Sequence, residues 1–220
     1  MKIGIFGTGM VGETIAGRLV ELGHEVKMGS RSAANEKATA WVTKTGSRAS
    51  HGTFSDAAMF GEIVFNCTQG AVSLEVLKLA NGTQTLKEKI LIDVSNPLNT
   101  DNEASTALLY CNDESLGERL QKALPDTHVV KTLNTMWCGI MVNPRRVKET
   151  HHVYLCGNNI GAKTRVKEIL RSFEWAQEEI LDLGGIDAAR ATEMLLPLWQ
   201  RIYGATNSFA FNFKIVCASH

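Results

Sequence analysis

The sequence has no excess of charge of either sign. Its 220 residues contain 23 Lys and Arg against 23 Asp and Glu, so the formal net charge is zero. A surface for nucleic acid phosphates needs a marked excess of basic residues, and we therefore expect no nucleic acid partner. Hydrophobic residues make up 44% and charged residues 21%, which is typical of a globular chain with one sizeable core.

Long hydrophobic runs and paired cysteines are also lacking. No apolar stretch approaches the roughly 20 residues that a membrane span requires, so no membrane partner is expected. The first six residues lead directly into a glycine-rich turn, without the regions of a secretion signal. The five cysteines include no pair at Cys-x-x-Cys spacing, so neither a disulfide framework nor a metal site is indicated. We expect a cytoplasmic protein.

The apolar residues that are present follow two alternating patterns. A short run at 3–6 is followed by Val11, Ile15 and Leu19 at helical spacing, and then by Val26 and Met28 in alternation, which predicts a strand, a helix and a second strand. The same alternation continues to about residue 133. It predicts an α/β protein with a Rossmann-type, doubly wound, mostly parallel sheet, with further strands near 49–51, 63–67, 90–94 and 128–133.

The pattern loosens after Pro144 and predicts a smaller C-terminal unit. A strand at 153–156, an amphipathic helix ending near Phe173 and a strand at 179–183 indicate one more β-α-β unit, which a long helix over 186–203 and an apolar segment at 209–216 follow. Residues 99–114 are polar and predicted to be irregular. We divide the chain into a Rossmann domain, 1–145, and a small C-terminal domain, 146–220.

The turn after the first strand carries the spacing of a dinucleotide site. It is a G-x-G-x-x-G motif formed by Gly7, Thr8, Gly9, Met10, Val11 and Gly12. The first glycine permits a sharp turn, the second lets the backbone approach a pyrophosphate, and the third lets the helix pack on the strand. Unpaired N–H groups at the helix N-terminus favour an anion there. A glycine turn without a ligand is the alternative.

The end of the second strand indicates which dinucleotide binds. NAD sites usually place Asp or Glu there for the ribose 2′-hydroxyl, whereas this chain has Ser30, Arg31 and Ser32. A carboxylate would repel a 2′-phosphate and a guanidinium binds it, so these three residues favour NADP. The alternative is that Arg31 is an ordinary solvated side chain.

Three further loops follow parallel strands and are expected at the same edge of the sheet. Neutral polar residues in them suit the nicotinamide and its hydride partner. They contribute the predicted cofactor contacts Thr68, Gln69, Ala71, Asn96 and Pro97 and the substrate-cleft candidates Thr132, Asn134, Thr135 and Met136. Ordinary turn chemistry is the alternative for each single residue.

A catalytic acid or base does not stand out. No Tyr-x-x-x-Lys pair exists, His128 begins its predicted strand, and His151 and His152 precede another, so these histidines are interpreted as structural. Cys67 has no basic sequence neighbour that would favour a thiolate and is interpreted as packing. A reaction that needs only an aligned hydride donor and acceptor suits this set.

Motifs along nearly the whole chain resemble the deazaflavin-dependent NADP reductase family, whose archaeal members exchange hydride between NADP and coenzyme F-420. The resemblance rests on GTGMVG at 7–12, Gly29-Ser30-Arg31, VYLCG at 153–157, LDLG at 181–184 and RATEMLLPL at 190–198, and it is closest to bacterial members with DVSNPL and VVKTLNTM, here at 93–98 and 129–136. Thr8, Ser30 and Arg31 match the family's 2′-phosphate contacts.

The family's cleft lies between the Rossmann domain and the C-terminal domain, which implies that the loop at 132–139, Gly184 and the helix segment from Met194 to Pro197 lie near the substrate. Asn35 departs from the pattern, since it stands where a lysine can assist phosphate binding. The cytosolic domain of membrane ferric reductases is similar, and pyrroline carboxylate and imine reductases share the first half. Fold analogy further suggests a homodimer.

Three functions remain open at this point. The first is an NADPH-dependent oxidoreductase that passes hydride to a bound deazaflavin or flavin. The second is a non-catalytic NADP(H)-binding redox sensor, and the third is an imine or ketone reductase. Turnover with a ring acceptor separates the first from the second, while the third requires a proton donor that the sequence does not reveal.

Overall fold

The computed structural model describes residues 1–99 and 107–218, and a single sheet forms its centre. Its eight strands follow the chain in order: β1 (Lys2–Phe6), β2 (Glu25–Ser30), β3 (Ala49–Thr53), β4 (Ile63–Asn66), β5 (Ile90–Asp93), β6 (His128–Thr132), β7 (Val153–Cys156) and β8 (Ile180–Asp182).

The described segments also contain nine α-helices, most of which connect successive strands. They are α1 (Met10–Glu21), α2 (Glu36–Thr45), α3 (Phe54–Phe60), α4 (Ser73–Leu79), α5 (Gly82–Thr85), α6 (Leu116–Ala123), α7 (Cys138–Met141), α8 (Ile160–Ser172) and α9 (Ala189–Thr206). Short 3₁₀ turns at 70–72, 144–146, 177–179 and 186–188 complete the connections.

The strand order in the sheet is β3-β2-β1-β4-β5-β6-β7-β8. Strands β1 to β6 are all parallel, β7 runs antiparallel to β6, and β8 is parallel to β7. Strands β2 and β3 lie on one side of β1, and β4 and the later strands lie on the other side. This change of side is the switch point of a doubly wound fold. The predicted fold class, a Rossmann-type and mostly parallel sheet, is confirmed.

Helices cover both faces of the sheet, so most strands are buried on both sides. One core contains residues of α1, α2 and α8 packed on Ile3, Ile5 and Phe65. The other contains residues of α3, α4 and α6 packed on Phe6, Val64 and Leu91. Burial on both faces explains why the strand sequences are continuous apolar runs rather than alternating ones.

Side-chain caps fix where several helices begin. Asn35 caps α2 by accepting from the Ala38 N–H at 3.0 Å, and Ser115 caps α6 by accepting from the Glu118 N–H at 3.1 Å. The Glu118 carboxylate accepts from the Ser115 hydroxyl at 2.7 Å and binds Arg190 of α9 at 2.6 Å.

The strands are predicted well by the sequence, and the short helices are not. Helices α5 and α7 span four residues each, too few for a helical period to show. The long C-terminal helix begins at Ala189, because residues 186–188 form a 3₁₀ turn. Of the predicted irregular segment 99–114, residues 100–106 lie outside the described part of the chain.

The predicted division at residue 145 falls before β7. The strands that follow it, β7 and β8, extend the sheet that β1 begins, and α9 packs on α6 through its first turns. The assignment of 1–145 and 146–220 as two domains stays a prediction.

Candidate functional site

The three glycines of the turn after β1 have three different surroundings. Gly7 has φ +107°, a conformation that favours glycine, and its N–H donates to the Gly29 carbonyl at 3.0 Å. A Cβ at Gly12 would meet the Gly7 carbonyl oxygen at 2.3 Å, so α1 could not pack as closely on the strand. A Cβ at Gly9 would meet nothing within 4 Å, which leaves open space over this part of the turn.

That open space lies at the N-terminus of α1. Gly9 is the N-cap residue, and no side chain among residues 1–99 and 107–218 caps the free N–H groups of the twelve-residue helix. An open groove of about 430 Å³ borders the turn and the facing side of α2, and its lining includes Thr8, Met10, Lys37 and Trp41. Free N–H groups and the positive end of a helix dipole together suit a pyrophosphate.

The predicted NADP-selective residues lie beside this turn, because β1 and β2 are neighbouring parallel strands. The Ser30 hydroxyl donates to the Ser32 carbonyl at 2.6 Å, which closes the loop around Arg31. The Arg31 side chain is exposed, and among the described residues it has no hydrogen bond or ion pair. It is therefore available to an anionic ligand.

Lys37 supplies a cation that sequence reasoning missed. Asn35 occupies the position where a lysine was expected, and its side chain is committed to the N-cap of α2. Lys37 is the second residue of that helix and lines the groove beside Thr8 and Gly9. The signal in the sequence was the N-cap residue itself, since it fixes the position of α2 and hence which lysine faces the groove.

A second cavity, of about 210 Å³, lies at the carboxyl ends of β4, β5 and β6. Its lining consists of apolar and neutral polar side chains contributed by the strand ends, by α1, by α7 and by α9: Val11, Cys67, Thr68, Val94, Ser95, Asn96, Asn134, Met136, Met141, Leu196 and Trp199. Among residues 1–99 and 107–218, no ionised side chain lines this cavity. The lining can hold an aromatic ring and offer hydrogen bonds at its rim.

Two asparagines join the loops after β5 and β6 across this cavity. The Asn96 side chain donates to the Asn134 carbonyl at 2.7 Å, and the Asn134 side chain donates to the Asn96 side-chain oxygen at 2.9 Å. Leu133, which directly precedes Asn134, is fully buried and has φ +64°, a conformation that is costly for a bulky residue. Strain of this kind concentrates at ligand sites, and this residue lies between Thr132 and Asn134.

Beneath the cavity lies a group of ionised side chains with almost no solvent exposure. The Lys131 ammonium binds Asp93 at 2.7 Å and Glu193 at 2.8 Å, and the side chains of all three are 0 to 1% exposed. Burial alone would lower the pKa of Lys131, but the carboxylates of Asp93 and Glu193 outweigh it and raise that pKa. Lys131 is therefore a cation at neutral pH and is not a proton donor.

Several predicted substrate-cleft residues lie behind the cavity wall or away from it. Thr132 donates its hydroxyl to the Tyr154 carbonyl at 2.7 Å and so joins β6 to β7. Thr135 is buried, and its hydroxyl has no partner among the described residues. On α9 the lining residues are Leu196 and Trp199, while the predicted Met194 is 39% exposed and Pro197 is absent from the lining.

Gly184 lies away from this cavity, so its place near the substrate stays a prediction. Because β7 is antiparallel to β6, Gly157 follows β7 toward the middle of β6 and not toward the cavity. Its N–H donates to the Gly184 carbonyl at 3.0 Å, and the Lys163 ammonium binds the same carbonyl at 3.0 Å. Gly184 therefore closes the end of β8, outside the cavity lining.

The remaining predicted cofactor contacts keep their places at the carboxyl edge. Thr68 and Asn96 line the cavity, whereas Gln69 and Ala71 are exposed around the 3₁₀ turn that follows β4. Pro97 is buried behind Asn96. Cys67 also lines the cavity, and burial raises the pKa of its thiol, so the group is neutral and its interpretation as a packing residue is consistent with its surroundings.

The histidines have structural partners. His151 is 1% exposed, contacts the Pro144 carbonyl at 3.0 Å and the Asn212 side chain at 2.7 Å, and packs edge-on against Trp175. His152 accepts from the Ile215 N–H at 3.1 Å. Both histidines thus hold the C-terminal segment 208–218 against the body of the protein.

Comparisons with known proteins agree with this geometry. The family model described as "NADP oxidoreductase coenzyme F420-dependent" matches residues 2–97, which include the glycine turn and the strand ends through Pro97. A crystal structure from Arthrobacter sp. FB24, provisionally assigned as an F420-dependent NADP reductase, superposes with a TM-score of 0.92. It has 40% identity and covers 99% of this chain and 100% of its own. The chain belongs to the coenzyme F420-dependent NADP oxidoreductase family. It is therefore an NADP-dependent oxidoreductase by family, as the resemblance predicted.

More distant relatives share the same scaffold. Metalloreductase STEAP3 of Rattus norvegicus is 32% identical over 206 residues, which are 90% of this chain and 38% of that protein. The chain thus spans well under half the length of this curated relative. In the described residues, we find no helix with the length and hydropathy needed to cross a membrane. A reductive aminase from Aspergillus terreus has a TM-score of 0.64 at 18% identity over 94% of this chain and 62% of that one, which shows a shared fold.

Proposed function

We propose that this member of the family transfers a hydride between NADPH and a planar deazaflavin or flavin ring. The observation that carries the proposal is the cavity at the carboxyl edge, whose lining combines neutral polar groups with the side chains of Leu196 and Trp199. NADPH supplies the chemistry, since its nicotinamide releases a hydride and becomes NADP⁺. The protein contributes alignment of the two rings and exclusion of water.

Each part of the site has a role in this proposal. The turn at Gly7 to Gly12 and the N-terminus of α1 bind the pyrophosphate, while Ser30 and Arg31, assisted by Lys37, bind the 2′-phosphate. Asn96 and Asn134 offer amide groups to the nicotinamide carboxamide, and they fix each other's orientation through two hydrogen bonds. Leu196 and Trp199 face the acceptor ring.

The lining argues for a ring acceptor rather than a small imine or ketone. Reduction of an imine or ketone needs a proton donor near the new C–H bond. Among the described residues, the cavity lining contains no His, Lys, Tyr or carboxylate, and the nearest cation, Lys131, is buried in its ion pairs. A deazaflavin or flavin accepts hydride into its own ring and needs no such donor from the wall.

We also propose that two copies of the chain associate through α9 and the segment after it. This region exposes large apolar side chains, including Met194 and Leu198 one turn apart on α9 and Val216 at 81% exposure. The chain has no net charge, so two copies meet without long-range repulsion. Pairing of this surface with the same surface of a second copy would remove these apolar side chains from water in both copies.

The first experiment is a thermal-shift titration with NADPH and NADH in parallel. Ligand at 100 times its dissociation constant adds about 2.7 kcal/mol to stability, which is a rise of roughly 5 to 10 °C for a chain of this size. We expect that rise with NADPH and a much smaller one with NADH. Equal shifts would contradict the role of Arg31, and no shift with either would reject the cofactor site.

The substitution Arg31→Ala tests the 2′-phosphate contact directly. One lost charge-assisted hydrogen bond, about 1.5 to 3 kcal/mol, should weaken NADPH binding about 10- to 150-fold and leave NADH binding unchanged. Arg171→Ala is the matched control, since Arg171 is also exposed and has no side-chain partner among the described residues. Steady NADPH oxidation with coenzyme F420, FMN or FAD then identifies the acceptor, and binding without turnover would favour a sensor.

A further inference from the structure

The buried ion group beneath the cavity is more than the fold alone requires. Ionised groups are expensive to remove from water, and well-packed apolar residues usually serve a core equally well. Here Asp93, Lys131 and Glu193 have side chains that are 0 to 1% exposed, and they come from β5, β6 and α9. The three elements that they join are the same elements that form opposite walls of the cavity.

The first wall is held through Ser95. The Lys131 ammonium donates to the Ser95 carbonyl at 2.6 Å as well as to Asp93. The other oxygen of Asp93 accepts from the Ser95 hydroxyl at 2.6 Å and from the Asn66 side chain at 2.9 Å. Since Ser95 lines the cavity, its backbone and hydroxyl are both fixed by the ion group.

The second wall is held through Glu193. Its carboxylate binds Lys131 and also accepts from the first two N–H groups of α6, from Leu116 at 2.8 Å and from Gly117 at 3.0 Å. Glu193 precedes the lining residues Leu196 and Trp199 by about one and two turns of α9. It therefore anchors the helix just before the part that borders the cavity.

The backbone of α9 is weakened at this point. Pro197 lies inside the helix and has no N–H, so the Glu193 carbonyl lacks its usual partner four residues later. The backbone hydrogen bonds of α9 alone therefore do not fix the positions of Leu196 and Trp199. The side chain of Glu193 supplies the anchor on the N-terminal side of Pro197.

We infer that Lys131 and Glu193 form a clamp that sets the separation between Ser95 on the sheet and Leu196 and Trp199 on α9, and that both are positioning residues for the acceptor ring. The inference rests on the proposed function for the identity of the ring. The clamp itself is inferred from the contacts between the two cavity walls and does not depend on which ring binds. It predicts that loosening Glu193 changes acceptor use much more than it changes NADPH binding, because the phosphate contacts lie near β1 and β2.

The test compares Glu193→Gln with Arg190→Gln. Both residues are on α9 and both contact α6, but Arg190 reaches Glu118 on the outside and touches neither Lys131 nor the cavity. For Glu193→Gln we expect the KM for coenzyme F420 to rise about 10-fold or more with a lower kcat, while the Kd for NADPH stays unchanged. Arg190→Gln should leave all three constants unchanged.

Hydrogen exchange provides a readout that needs no acceptor. In Glu193→Gln, the amides of residues 194–196 and of Leu198 and Trp199 should exchange faster than in the wild type, and those of β1 and β2 should not. Unchanged KM and unchanged exchange in α9, with only a lower Tm, would overturn the clamp and leave a structural role. If the wild type reduces neither coenzyme F420 nor FMN, the proposed function fails, and the exchange result still decides the clamp.

A second variant covers the case in which Glu193→Gln does not fold. Glu193→Asp keeps the charge beside Lys131 but is shorter by one methylene, so it cannot reach both the ammonium and the N-terminus of α6 in the same geometry. We expect a smaller rise in KM and a smaller increase in exchange than for Glu193→Gln. Wild-type values for both quantities in Glu193→Asp would also overturn the inference.

Discussion

Gly9 is the N-cap residue of α1 and Gly17 lies inside the helix, and both have open space beside them. Only Gly9 faces the proposed pyrophosphate. A Cβ meets nothing within 4 Å at either position. Gly9→Ala should therefore fold normally and lose NADPH binding, since the new methyl group occupies the space of the pyrophosphate. Gly17→Ala is the control, and it should raise stability by about 0.5 to 1 kcal/mol because alanine favours the helix interior.

Thermal unfolding with and without NADPH checks both variants. Gly9→Ala should keep the Tm of the free protein and lose the NADPH shift, whereas Gly17→Ala should have a higher Tm and a full shift. A full shift in Gly9→Ala would place the pyrophosphate elsewhere.

At the residue scale, the sequence predicts backbone-determined features better than side-chain neighbours. The roles of Gly7 and Gly12 follow from spacing, because a turn between a strand and a helix has few solutions. Trp199 was missed because it lies beyond the motif at 190–198, whereas Leu196 lies inside the segment that the resemblance placed near the substrate. Which residues of a helix face a cavity depends on the rotational phase of the helix, and motif similarity does not give that phase.

The ion pair between Arg190 of α9 and Glu118 of α6 depends on pH through the carboxyl group of Glu118. The hydrogen bond from Arg190 lowers the pKa of Glu118, with a further contribution from Ser115. A carboxyl group with a lowered pKa stabilises the folded state above its ordinary pKa, near 4.3, and this contribution disappears as the pH falls through the folded-state value. The stabilisation is therefore fully present at neutral pH, and its pH dependence is confined to acid conditions.

Glu118→Gln should remove this contribution. Urea unfolding midpoints measured from pH 7 to pH 3 should fall less steeply for the variant than for the wild type, and the loss at pH 7 should be about 0.2 to 1 kcal/mol because the pair is partly exposed. Parallel curves for the two proteins below pH 4.5 would show that the pair contributes nothing to acid stability.

At the element scale, strand positions were predictable and the direction of one strand was not. Buried strands such as β4 and β5 appear as short apolar runs, and each is found where the pattern placed it. The run Val-Tyr-Leu-Cys of β7 has the same appearance, although the strand is antiparallel to β6. Direction depends on the path of residues 133–152, which include the unforeseen helix α7, and apolar patterning does not encode that path.

The whole molecule should be a dimer that depends on α9. Leu198→Lys places a charge in the exposed apolar surface that we assign to the second copy and should shift the protein toward the monomer. Leu79→Lys is matched to it, since Leu79 is 50% exposed on α4 and Leu198 is 49% exposed. Light scattering across a range of concentrations gives the molar mass. A monomeric wild type, or equal effects of both variants, would contradict the dimer surface.

The strand order leaves β3 and β8 at the two edges of the sheet, and each is a poor template for further pairing. Strand β3 carries Ser50, His51 and Thr53, and strand β8 is only three residues long. Asp182 at the end of β8 binds Lys163 and Lys167, so charge surrounds that edge. Short, polar and charged edges discourage edge-to-edge aggregation between sheets, and concentrated solutions of the protein should resist fibril formation even while the chain is partly unfolded elsewhere.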